Sequence, residues 1–174
     1  MATDDFAAFV RRENEQKAPS IDWEAKRERW VERLAQLYDD VAEYLAEFTD
    51  SGAIDLRREP ITLREEYLGA YEVDKLVLTI GARVIELRPI GTLLIGSAGR
   101  VDISGPRGVA RLVLVDRKSD RPNITISIGS DAPKSEVTRI PDWTWKLATQ
   151  PPGIRYTDLN QESFQEAVLE VAGA

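Results

Sequence analysis

The residues of this chain best suited to ionic chemistry lie on runs whose apolar positions alternate. Arg111, Val113, Val115 and Arg117 share one parity, while Leu112 and Leu114 take the other. A strand over this run therefore sets both guanidinium groups on one face. Arg100 and Asp102 share a parity on a second run, as do Glu86 and Arg88 on a third. Guanidinium grips carboxylate and phosphate through two parallel hydrogen bonds, so Arg88, Arg100 and Arg111 form a candidate surface for a small anion or a partner. If the runs are neighbours, the same arginines can instead pair with Glu86 and Asp102 as a cross-strand charge ladder, and that simple pairing is the expected role. Trp143 and Trp145, two apart on a further run, point to one side together. They either extend the candidate surface as a stacking platform or, as paired aromatics more often do, close a core over a helix.

Other chemistry is narrowed by two absences. The chain has no Cys and no His. Thiol nucleophiles, thiolate metal sites, imidazole bases and Ser-His-Asp triads are excluded with them. An enzyme built on this sequence would have to use carboxylates, and the pairs near turns are Glu65 with Glu66 and Asp116 with Asp120. No loop has the ligand spacing of an EF-hand. Gly91 and Gly96 have the glycine spacing of a phosphate loop, but Ser97 stands where that motif needs Lys and the four residues between are strand-like. Neither a cofactor nor a metal is expected.

The elements that must position these residues are legible from period and punctuation. Within 174 residues, 43% hydrophobic and 30% charged, the first fifty or so carry a helical period. Phe6, Phe9 and Val10 follow Thr3 as a short helix, interrupted at Ala18-Pro19-Ser20. A long helix then starts at Ser20 or Asp22 and runs to Asp50, with Gly52 as its terminator. Its apolar residues Trp23, Trp30, Leu34, Leu37, Val41, Tyr44 and Phe48 keep a heptad-like spacing. A stripe this long predicts self-association, with Trp30, Leu34, Leu37 and Val41 in a homodimer interface, although packing inside the monomer explains the same pattern.

From Ile54 the period becomes two. Short runs at 54–63, 76–80, 83–88, 99–104, 109–117, 124–128 and 143–147 are separated by Gly, Pro, Asn and Asp. Connections this short suit hairpins and leave no room for crossover helices. A last helix runs from Asn160 or Gln161 to Val171. The fold class expected is α+β: N-terminal helices, one of them long, then a curled antiparallel β-meander of five to seven strands, then a C-terminal helix. Residues 1–52 read as a helical arm on or beside a core of residues 53–174.

Net charge is −7, unevenly placed. Residues 1–50 hold 7 basic and 13 acidic side chains, and residues 75–121 hold 9 basic and 4 acidic. Mutual neutralisation of the two parts is the expected arrangement, and an anionic partner for the basic part is the other. The start, Met-Ala-Thr-Asp-Asp-Phe, carries acid where a secretory signal carries base. The most apolar window, 84–103, is broken by charge, Pro and Gly. A cytoplasmic protein with no membrane partner is expected. The leading functional expectation is a non-enzymatic binding or interaction protein that meets a second copy or another protein. The alternatives are a His-free, Cys-free enzyme using carboxylates and arginine on an anionic small molecule, and a nucleic-acid accessory protein using the Arg-bearing sheet face. A sequence pI of about 4.8 and the lack of interleaved aromatics argue against nucleic acid.

Overall fold

A computed structural model describes residues 6–10, 21–92, 97–122 and 140–174. The expected α+β layout is what it shows. Helix α1 (Trp23–Tyr44) and the short α2 (Ala46–Asp50) precede seven strands, and α3 (Gln161–Ala172) ends the fold. The strands are β1 (Asp55–Glu65), β2 (Gly69–Ile80), β3 (Arg83–Gly91), β4 (Gly99–Gly105), β5 (Gly108–Asp116), β6 (Trp143–Ala148) and β7 (Tyr156–Asp158). They form one open antiparallel sheet in which spatial order equals chain order. Local chemistry explains the meander. Ile80 and Arg83 pair across a two-residue turn in which Gly81 supplies φ 59°, as a type II′ turn needs at its first position. Pro60 sits on the edge strand β1, where its missing N–H leaves no neighbour unsatisfied. The expected run at 124–128, the Thr3 cap and residues 93–96 of the glycine-spaced segment lie outside the described residues.

The helices form as their caps direct. The Asp22 side chain accepts from the Ala25 amide at 3.0 Å to start α1. Asn160 and Ser163 make a reciprocal capping box on α3, and Gly173 closes that helix at φ 73°. The long helix expected to reach Asp50 is interrupted: Leu45 leaves helical geometry at φ −107°, and this break accompanies burial of its side chain in the core. Both α1 and α3 lie across one face of the sheet. Leu78, Ile85, Leu87, Val101, Ile103, Leu112 and Leu114 line that inner face, in one apolar cluster with Phe164 and Val171 of α3.

The residues expected to mediate self-association belong to the same cluster. Trp30, Leu34, Leu37 and Val41 are 2, 3, 0 and 0% exposed. Their heptad-like stripe faces the chain's own sheet, so these four side chains are not available to a second copy. Trp30 comes so close to β4 that a Cβ on Gly99 would lie 2.2 Å from its ring. That glycine is a site of close approach between helix and strand. Among the described residues no helix is long and apolar enough to cross a membrane.

Candidate functional site

The other face of the sheet holds the arginines. Strand register places Arg88 opposite Asp102 on β4, and Asp102 opposite Arg111 on β5. Neighbouring strands are about 4.8 Å apart, so Arg88 and Arg111 flank the aspartate from two sides, with about 10 Å between their backbones. Arg100, two residues before Asp102, occupies the same face. It grips both carboxylate oxygens, Nε to Oδ1 at 2.6 Å and Nη2 to Oδ2 at 2.8 Å. The three candidate arginines thus converge around one carboxylate.

The charge ladder expected from the sequence is only partly built. Glu86 does not pair with Arg88. Its partner is Lys75 of β2, at 2.6 Å, and Glu59 of β1 holds the same ammonium at 3.4 Å. These hydrogen bonds, that of Glu86 foremost, raise the Lys75 pKa above the ordinary lysine value. Lys146, also on the outer face, donates to the carbonyls of Arg117 and Ser119 and meets Asp158 at 3.0 Å. Arg88 and Arg111 have no ion-pair or hydrogen-bond partner among the described residues. Arg111 Nε is shielded from solvent as well. An unpaired, shielded donor is unfavourable, and a bound oxyanion would relieve it.

The charge asymmetry of the chain follows the two faces. The acidic helix α1 lies on the inner side, with Asp39 reaching Arg58 of the edge strand at 3.0 Å. It is separated by the sheet from Arg88, Arg100 and Arg111, so the expected mutual neutralisation does not include these three.

Trp143 and Trp145 prove to be on the inner face, away from the arginines. Trp145 pairs with Leu114, its ring lies 5.9 Å from that of Trp30, and its indole N–H donates to the Arg33 carbonyl at 3.1 Å. Trp143 is half-buried beside it and borders a shallow groove of about 260 Å³ with Lys26, Arg29 and Arg33. The candidate surface is therefore corrected to its three arginines, because alternation sends residues of β6 paired with Leu114 into the core.

The carboxylates singled out for catalysis do structural work. Glu65 accepts from the Tyr71 hydroxyl, and its other oxygen accepts from the Thr92 amide at 2.8 Å and the Thr92 hydroxyl at 2.9 Å. Gly91, at φ 143°, leaves room for this carboxylate, which a Cβ there would meet at 2.9 Å. The contact ties the β1–β2 hairpin to the end of β3. Burial and then the Glu65 hydrogen bond push the Tyr71 phenol well above its ordinary value. Asp116 accepts from the Lys118 and Asp142 amides and fixes the ends of β5 and β6. Glu66 is exposed, and Asp120 pairs loosely with Arg121 at 3.5 Å. Among the described residues no three carboxylates converge on a metal-sized site.

No family model, curated protein or solved structure matches this chain. Its function must be read from the site alone. Sequence reasoning missed the Glu65–Tyr71–Thr92 clamp and strand β7, and only the convergence on Asp102 was hinted at, by parity.

Proposed function

We propose that this chain is a non-catalytic binding protein whose outer sheet face receives an anionic group between Arg88, Arg100 and Arg111. One observation carries the reading. Asp102 has both oxygens committed to Arg100, while the arginines on either side of it are without an anion and one is shielded from water at Nε. Three guanidinium groups against a single carboxylate leave a local excess of positive charge on rigid strands, which suits an oxyanion better than a cation or an apolar ligand. The non-catalytic half of the reading is supported by Glu65 and Asp116, whose oxygens hold backbone amides and neighbouring side chains in place.

The test uses inorganic phosphate as probe. A ligand that binds only the folded state raises the melting temperature by mass action. Phosphate at about 10 mM, against chloride of equal ionic strength, is expected to raise the melting temperature of the native chain. The rise should vanish in Arg111→Gln and shrink in Arg88→Gln, and it should persist in Lys75→Gln. No rise in the native chain, or a rise of equal size in Arg111→Gln, contradicts the reading.

A further inference from the structure

Helix α1 carries all of its basic side chains in its first half, and Lys26, Arg29 and Arg33 follow one another at i, i+3 and i+7 along one side. Helix stability gives no reason for this row. Lys26 lies in the first turn, where the helix dipole favours acid over base. Arg29 and Arg33 are like charges at i, i+4, a spacing that destabilises a helix unless something neutralises it.

Nothing in the described residues does so. The ion pairs of α1 join Arg27 to Glu24 and Asp39 to Arg58, and none reaches the row. Lys26 has its ammonium 5.1 Å from the centre of the Trp23 ring, and Arg33 donates to the amide oxygen of Gln36 at 3.1 Å. Neither partner carries charge.

The row borders the groove of about 260 Å³ at the margin of the core, with Glu32 as one carboxylate against its three cations. Buried Trp30 and Leu114 form the floor, and half-buried Trp143 turns part of its ring to the same space. An inorganic anion has no use for this aromatic floor, and a neutral aromatic leaves the cations unmet. The volume falls just below the range that holds drug-sized ligands, so the occupant is small.

We propose that this groove binds a small aromatic carboxylate. Its carboxylate lies between Arg29 and Arg33, which grip it as guanidinium grips any planar oxyanion, and Lys26 adds charge at the rim. Its ring lies against Trp143 over Leu114 and Trp30, where offset stacking and apolar burial act together. The site is independent of the outer-face arginines, from which the sheet separates it.

Calorimetric titration of the full chain with naphthoate tests the proposal. A Kd on the order of 0.1 mM is expected for a ligand of this size. Naphthalenemethanol, the ring without the charge, and acetate, the charge without the ring, should each bind at least about tenfold more weakly. Arg29→Gln with Arg33→Gln changes only the helix surface and should weaken naphthoate at least about tenfold. Trp143→Leu should weaken it about fivefold, and if that change unfolds the chain the arginine pair decides alone. Arg111→Gln should leave the affinity as it is. No binding of naphthoate at about 1 mM overturns the proposal, as does an affinity indifferent to the Arg29 and Arg33 changes or equal binding of the alcohol. Loss of naphthoate binding in Arg111→Gln also overturns it, by moving the ligand to the outer face.

Discussion

The two faces of the sheet are built from the same strands but solve opposite problems. On the inner face every large side chain has apolar neighbours, and Gly99 is bare so that Trp30 can lie against the backbone. On the outer face Lys75 and Lys146 are satisfied several times over, whereas Arg88 and Arg111 are not. The difference teaches that alternation alone does not decide how finished a sheet face is. The inner face shows its finish in continuous apolar packing, although the Trp30 indole N–H is without a hydrogen-bond partner there among the described residues, and the outer face shows its incompleteness in guanidinium groups left without counter-ions.

The sharpest way to test the inner face is to empty it. Trp30→Ala should cost about 3–5 kcal/mol in urea unfolding, as large aromatic truncations do in cores that cannot collapse. Gly99→Val should be comparably damaging, since its Cβ would collide with the Trp30 ring. Glu65→Gln comes next: it should cost about 1–3 kcal/mol by leaving buried donors poorly met, with faster amide exchange at Thr92. The buried phenols give a pH test. Tyr38 donates to the Asp74 carbonyl at 2.5 Å, and burial, then the nearby Asp74 charge, raises its pKa above 10.0, the ordinary value. A folded phenol that holds its proton more tightly than the unfolded one gives stability that is complete below about pH 10 and lost as pH rises further. Tyr38→Phe should accordingly reduce the alkaline loss, by about 1 kcal/mol for each pH unit above 10.

The outer face should respond weakly. Arg111→Gln, made without ligand, is expected to change stability by less than about 1 kcal/mol and to lean toward a gain, because it removes an unpaired guanidinium from a cationic cluster. A loss of several kcal/mol would show that Arg111 holds the fold and would erase the contrast between the faces. Smallest of all is Asp40→Asn on α1. Partial burial, then Glu43 and Asp39, raises the Asp40 pKa, so neutralising it should stabilise the helix by about 0.3 kcal/mol at neutral pH, and less in salt. With no His in the chain, stability should be flat between about pH 6 and 8.

Much of this architecture was legible in the sequence because period and punctuation agree. The runs of period two, the glycines and prolines between them, and the caps Asp22 and Asn160 all lie where the structure uses them. Strand β7 was not legible: three residues after Pro151-Pro152-Gly153 are too few to show a period. The role of the heptad-like stripe was ambiguous for a physical reason, since 3-4 spacing serves a helix on a sheet as well as a helix on its twin. The candidate site was half legible. Parity put Arg88, Arg100, Asp102 and Arg111 on shared faces, but register decides pairing, and register gave Glu86 to Lys75 and set Asp102 between two arginines.

The claim that the outer face awaits an anion is tested most directly at one nitrogen. In nitrogen-15 labelled protein the Arg111 Nε–H resonance reports on the shielded donor itself. Titration with inorganic phosphate is expected to shift this resonance in a saturable way, followed by those of Arg88 and Arg100, while Arg57 and Arg58 on the edge strand stay still. A titration in which Arg111 does not move, or in which all arginines drift together without saturation, would contradict the account.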